Sequence, residues 1–198
     1  LDAHQPELRV RYRLTNLAPQ PVDLLFGLHP MFAISPTHRL DLPPARTLVE
    51  LASAERFGQV GQVYEWPHLP TNSGAVDMRT IPASDRQAYA GHYATETTAG
   101  WFALTDTASQ VGLALVYPTN VFKALWLWMC YGGWRDHYHL AVEPWTGYPV
   151  NLAQAAAAGR QLILAAHQSL EFSVTAFAYT GRMEVSGVDQ RGEHYTAR

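Results

Sequence analysis

The strongest constraint on this chain is a period of two. "LRVRYRL" (residues 8–14) sets Leu8, Val10, Tyr12 and Leu14 on one side and Arg9, Arg11 and Arg13 on the other. "LEFSVTAFAY" (170–179) repeats the pattern, with Leu170, Phe172, Val174, Ala176 and Ala178 along one side. Side chains of an extended strand alternate faces, so such a segment buries its apolar side by lying in a sheet. Further short runs lie between them: 39–42, 47–51, 59–66, 101–105, 111–117, 122–130, 137–143 and 161–164. Most are separated by Gly, Pro, Asn, Asp or Ser, which is turn chemistry. Only "NLAQAAAAGR" has a helical pattern, with Asn151 as its N-cap and Gly159 as its stop. The expected fold class is therefore all-β, antiparallel sheets with one short helix. So many strands need two stacked sheets or closure to protect their edges. Residues 67–100 are rich in Pro, Ser, Thr and Gly and show few strand signals. They are expected to form a long excursion over one sheet, of the kind that carries sites.

Composition limits the function classes. A length of 198 residues suits one large domain spanning 1–198, and 47% hydrophobic with 16% charged residues predicts a folded body. A net charge of −3 without a basic cluster argues against a nucleic-acid partner. The longest apolar stretches, such as "VFKALWLWMC", are too short to span a bilayer, so no membrane partner is expected. The single cysteine, Cys130, excludes an internal disulfide and suits a cytoplasmic location; it is expected to be a small buried group. The polar tail after Gly181 is expected to fray or to add one edge strand. The chain opens at Leu1, almost directly on a strand pattern, and is expected to be a piece of a longer protein. Its exposed sheet edges would then be available for pairing two copies as a homodimer.

Two constellations carry chemistry. In "HYHLAVEP", strand alternation puts His137, His139 and Glu143 on one face. A His-x-His pair with a nearby carboxylate is the ligand pattern of cupin barrels and suits iron, manganese or zinc. A cupin should also bring a Pro-x-Gly turn and a later histidine; "ILAAHQSLEF" has no such turn and sets His167 elsewhere, so no metal is expected. The second constellation is His29 in "GLHPMF" with Glu143 in "AVEPWTGYP". Each is an ionisable residue followed by proline at the end of an apolar strand, where proline removes a backbone donor and ends the ladder. A histidine and a carboxylate are the two partners of paired acid–base work, although such pairs also occur for structural reasons alone. Trp126 and Trp128 share a strand face, either as a carbohydrate platform or as core, and Trp145 sits in a turn beside Glu143. Arg135 and Asp136 are expected to be an exposed turn pair.

The order of several segments resembles the galactose mutarotase-like (aldose 1-epimerase) superfamily. "YRLTNLAPQPVDLLFGLHPMFAI" resembles its strand leading to a histidine and an aromatic stretch. "VDMRTIP" resembles its Asp-x-Arg segment, and "LAVEPWTGYPVNLAQA" followed by "GRQLILAAHQSLEFSVTAFAY" resembles its closing half. The resemblance covers about Leu8 to Tyr179. It implies a β-supersandwich with a sugar cleft on one concave sheet, no cofactor, and a small-molecule sugar as partner. In that family the histidine is the general acid at the ring oxygen and the late glutamate is the general base at the anomeric hydroxyl. Those roles fall here on His29 and Glu143. The expected sugar contacts are His92, Trp126, Trp128 and Trp145. Gly91 precedes His92 where the family has an aspartate, and the family's additional N-terminal sheet, with a further histidine and an arginine, is expected to lie before this sequence. Two other readings remain: a carbohydrate-binding module with the same cleft and no turnover, and a cupin-type metal enzyme using His137, His139 and Glu143.

Overall fold

The two strongest alternators lie side by side. In a computed structural model that describes residues 6–188 and 194–195, strand β1 (Glu7–Thr15) pairs antiparallel with a late strand, from Glu7 opposite Phe177 to Thr15 opposite Ser169. The remaining early strands are β2 (Val22–Leu24), β3 (Met31–Ala33), β4 (His38–Asp41), β5 (Arg46–Ala52) and β6 (Val63–Glu65). They are followed by β7 (His68–Thr71), β8 (Gly74–Asp77), β9 (Ala88–Thr95), β10 (Trp101–Asp106) and β11 (Val111–Val116). Then come β12 (Ala124–Tyr131), β13 (Tyr138–Trp145), helix α1 (Leu152–Ala157), β14 (Leu162–Leu164) and β15 (Ser169–Thr180). A short ribbon, β16 (Gly187–Val188) with β17 (His194–Tyr195), ends the described part.

These strands form two main sheets. One has five strands in the order β1-β15-β11-β10-β4, the other six in the order β3-β13-β12-β9-β5-β6. Their facing sides share one core. Phe102, Leu104, Leu115, Phe172 and Val174 come from the first sheet, and Leu125, Leu127, Met129, Leu140 and Val142 from the second. Full burial of each such side chain contributes roughly 1.5–3 kcal/mol of transfer free energy. The architecture is the antiparallel β-sandwich with one short helix that alternation predicts.

Two expectations need revision. The stretch 67–100 is not a bare excursion. It contains the β7–β8 hairpin and β9, which is interior to the six-stranded sheet between β12 and β5. β9 reads "AYAGHYAT"; its Ala and Gly content lowers strand propensity, and burial on both faces removes the alternation. The other face of β15 is also covered: Phe177 and Tyr179 pack with Trp101 and Val185 in a smaller cluster. The second revision is in the tail, which supplies Val185 and the β16–β17 ribbon; residues 189–193 and 196–198 lie outside the described residues.

At β1, Tyr12 and Leu14 pack on the core while Leu8 and Val10 stay exposed. Asn151 caps α1 by accepting from the Gln154 N–H at 3.1 Å, and Gly159 (φ 65°) follows the helix. Among the described residues no helix is long and apolar enough to cross a membrane.

Candidate functional site

The site is set by strand register. β3 pairs with β13 so that Met31 faces Ala141 and Ala33 faces His139, and an isolated bridge joins Gly27 to Trp145. The same register, carried through the loop before β3, sets His29 opposite Glu143. The Leu28 N–H donates to the Pro144 carbonyl at 3.0 Å, and the Val142 N–H donates to the Pro30 carbonyl at 3.3 Å. These two bonds straddle the His29–Glu143 position and make it a non-hydrogen-bonded pair, the kind whose side chains approach more closely. Each flanking rung would carry a second bond if Pro30 and Pro144 had N–H groups. The two His-Pro and Glu-Pro dipeptides thus loosen the ladder on both sides of the pair they deliver. His29 Nε2 stands 3.5 Å from Glu143 Oε1.

The two partners differ in environment. Glu143 is only 2% exposed, and its Oε2 accepts from Trp145 Nε1–H at 3.1 Å. Burial pushes its carboxyl above the usual range, with the Trp145 bond and the His29 charge pulling it partly back. The His29 side chain is 59% exposed, at the mouth of the cleft.

Aromatic rings form the opposite wall. On β12, Trp126 lies opposite Glu143 on one side and Tyr93 on the other, and Trp128 lies opposite Ala141 and Gly91. A Cβ at Gly91 would sit 2.2 Å from the Trp126 ring, so only glycine lets that indole lie down across β9. Likewise, a Cβ at Gly27 would be 2.5 Å from the Trp145 ring. Tyr93 and Trp126 have ring centroids 4.5 Å apart; Trp126 and Trp128 are 6.5 Å apart with planes 8° from parallel. The resulting cleft, about 290 Å³, is lined by His29, Tyr93, Trp126, Trp128, Glu143, Trp145 and Val150. Two hollows of about 350 and 370 Å³ along β1 and β15 have more space, but no comparable acid–base pair lines them.

No protein-family model matches the sequence, and no curated protein matches it significantly. Solved structures do. A candidate aldose 1-epimerase from Klebsiella pneumoniae superposes with a TM-score of 0.68 at 18% identity, over 88% of this chain and 43% of that one. A galactose mutarotase related enzyme from Lactobacillus acidophilus gives 0.60 at 11% identity, over 88% and 58%. A TPR-domain containing protein from Parabacteroides distasonis gives 0.65 at 12% identity, over 96% and 30%. The chain has the galactose mutarotase-like fold. It spans about half the length of the epimerase and mutarotase structures it matches, 43% and 58%.

Of the residues expected from sequence, the mutarotase-like fold brings His29, Glu143, Trp126, Trp128 and Trp145 to one cleft and takes His92 away from it. Gly91 and Tyr93 face the cleft, so His92 between them points between the sheets. It is 0% exposed; Nε2–H donates to the Phe57 carbonyl at 3.0 Å, and Nδ1 accepts from the Tyr64 hydroxyl at 3.0 Å. Burial drives its pKa down to about 4. Tyr93 and Val150, which do line the cleft, were hidden in sequence. Tyr93 lies on the unrecognised strand β9, and Val150 is tied to it by an N–H to Tyr93 hydroxyl bond of 2.9 Å.

The His137, His139 and Glu143 triplet does not converge in the mutarotase-like sheet. The two imidazole centroids are 5.8 Å apart, while Glu143 lies four strand residues beyond His139, about 13 Å along the chain. Among the described residues no group of three His, Cys, Asp or Glu side chains could hold a metal ion. Cys130 is buried, and burial pushes its thiol up to about 11, away from nucleophilic use. Asp77 and Arg79 of the Asp-x-Arg segment pair with each other at 2.6 Å rather than at the cleft, and Arg79 N–H groups carry that contact.

Proposed function

We propose that the cleft binds an aldose and interconverts its anomers, with His29 as general acid and Glu143 as general base. The observation that carries this reading is the His29–Glu143 pair at 3.5 Å in an aromatic-walled hollow of a mutarotase-like sandwich. The anomeric hydroxyl oxygen and the ring oxygen are bonded to one carbon, so an acid and a base standing side by side reach both. Glu143 takes the proton from the anomeric hydroxyl while protonated His29 gives one to the ring oxygen. The bond between that oxygen and the anomeric carbon breaks, and the carbon becomes an aldehyde. Rotation about the next carbon–carbon bond and reclosure by the reverse transfers gives the other anomer. Proton transfer alone accomplishes this.

Burial suits Glu143 to the task, because a carboxylate whose pKa is raised is a stronger base near neutrality. The Trp145 Nε1–H fixes one carboxylate oxygen and leaves the other facing His29. Trp126 and Trp128 offer flat apolar faces to the C–H side of a pyranose. Residues 1–198 are taken as one sandwich domain, and the partner as a small-molecule sugar. The activity of any longer protein containing this chain is part of the same proposal.

Polarimetry on freshly dissolved glucose and galactose tests the reading. The expected outcome is accelerated mutarotation that drops on the order of 10²–10⁴-fold in Glu143→Gln, with sugar-dependent tryptophan fluorescence retained. Fluorescence quenching by sugar with no acceleration in the unmodified protein would instead make the domain a binding module.

A further inference from the structure

We propose that the Tyr93 hydroxyl is a third catalytic group, donating a hydrogen bond to the anomeric oxygen as Glu143 removes its proton. This rests on the sugar-cleft reading above and adds the group that stabilises the charge formed there.

Register puts Tyr93 across the cleft from the base. Trp126 lies opposite Glu143 on β13 and opposite Tyr93 on β9, so the three side chains share one sheet face. Glu143 and Tyr93 are thus two strand spacings apart, about 10 Å between backbones. The Trp126 indole does not stand between them, because it lies over Gly91, two residues along β9. All three line the same cleft. The phenol is held in place: its ring packs on Trp126 at 4.5 Å and on Tyr148 at 5.7 Å between centroids. Its oxygen is fixed as well, accepting from the Val150 N–H at 2.9 Å.

What that bond leaves over is the proton. A phenol has one donor and two acceptor sites, and the Val150 bond uses an acceptor. No described residue accepts the proton; the Glu50 and Glu143 charges act on the phenol without a hydrogen bond to it. Tyr93 is only 2% exposed, and hydroxyl groups so placed normally have their donors paired. Burial pushes the phenol up to about 12, so it keeps its proton at neutral pH. A sugar hydroxyl can accept from Tyr93 and donate to Glu143 at once. In the proposed reaction the hydroxyl that donates to Glu143 is the anomeric one. As its proton leaves for Glu143, negative charge gathers on the oxygen until the ring C–O bond breaks and the carbonyl forms. The Tyr93 bond strengthens with that charge while its own proton stays on the phenol. Such stabilisation, stronger in the transition state than in the ground state, accelerates the step.

Polarimetric kinetics on glucose, with the parent protein and Tyr93→Phe, test this. The kcat should fall about 10²-fold with KM nearly unchanged, as loss of one preorganised donor does. The control is 1,5-anhydroglucitol, which keeps the pyranose ring but lacks the anomeric oxygen. Its affinity, followed by tryptophan fluorescence, should be the same in both proteins. An unchanged kcat overturns the role of Tyr93 and leaves the His29–Glu143 reading standing. A matching loss of anhydroglucitol affinity also overturns it, since the phenol would then only anchor Val150. If Tyr93→Phe does not fold, 3-fluorotyrosine at position 93 decides. It keeps the ring and donates more strongly, so kcat should hold or rise, and a fall overturns the role. If the parent protein does not accelerate mutarotation, the anomer-interconverting reading fails and this inference fails with it.

Discussion

At the scale of the residue, one carboxylate carries two opposing demands. In the proposed role Glu143 must be ionised to act as base, yet burial raises its pKa, so the proposed activity should fall with acid earlier than an exposed glutamate would allow. The Trp145 Nε1–H is one of the groups that holds the charged form. Trp145→Phe keeps the ring over Gly27 but removes that donor. The acid limb of the kcat/KM profile, followed by polarimetry, should then move to higher pH; an unmoved limb would mean the bond does not tune the base. The same burial has a consequence for stability. A carboxyl whose folded pKa lies above its unfolded value favours the fold when protonated and costs stability when ionised at neutral pH. Glu143→Gln should therefore raise the thermal midpoint at pH 7 while lowering turnover as predicted above, a trade expected of a functional group and not of a structural one. A lower midpoint would show that the ion pair with His29 outweighs burial.

At the scale of the element, the sheet makes room for large rings by placing glycine under them. Gly91→Ala puts a methyl 2.2 Å from the Trp126 ring, in the interior strand β9. Neither the strand nor the indole can yield freely, so the substitution should cost about 1–3 kcal/mol in denaturant unfolding, as overpacking does. It should also shift tryptophan emission and weaken sugar binding through Trp126. An unfolding midpoint unchanged from the parent protein would mean that the ring has another resting place. The same strand marks the limit of what the sequence could say. β1, β12, β13 and β15 were legible because polar and apolar side chains alternate or apolar ones run on. β9 was not, because its small residues answer to a ring on the neighbouring strand. His29 and Glu143 were legible as ionisable residues before proline. Their contact was not, because it depends on the register between β3 and β13 and on rungs that the two prolines halve. Arg135 and Asp136, between β12 and β13, were legible as a turn but not as left-handed residues, since neither is Gly or Asn.

At the scale of the whole molecule, the proposed chemistry and the stability are divided between the two faces of one sheet. The outer face of the six-stranded sheet carries Glu143, Trp126, Trp128 and Tyr93; the inner face buries Leu125, Leu127, Leu140 and, among them, the imidazole of His92. His92 is held neutral by two bonds of fixed sense. Phe57 offers only a carbonyl, so Nε2 must carry the proton, and Nδ1 then accepts from Tyr64. Its pKa falls from 6.5 to about 4 on folding, so between those values the unfolded chain binds a proton that the folded chain does not. Stability is then full above pH 6.5 and is lost as pH falls towards 4. The loss is at most about 3 kcal/mol, because each tenfold change in proton affinity is worth about 1.36 kcal/mol. His139, lowered by burial and by the charges of His137 and His29, adds loss of the same sign; Asp41 and Glu143, both raised by burial, act in the opposite sense. Asp106, held near 2 by the hydroxyls of Thr37 and Ser109, matters only in stronger acid. Comparing His92→Gln with the parent protein cancels these other groups. Glutamine can donate to Phe57 and accept from Tyr64 without titrating. Urea midpoints measured from pH 4 to 7.5 should fall with acid in the parent protein and fall less in the variant. Parallel curves would mean that the inner imidazole is protonated as readily in the fold as out of it.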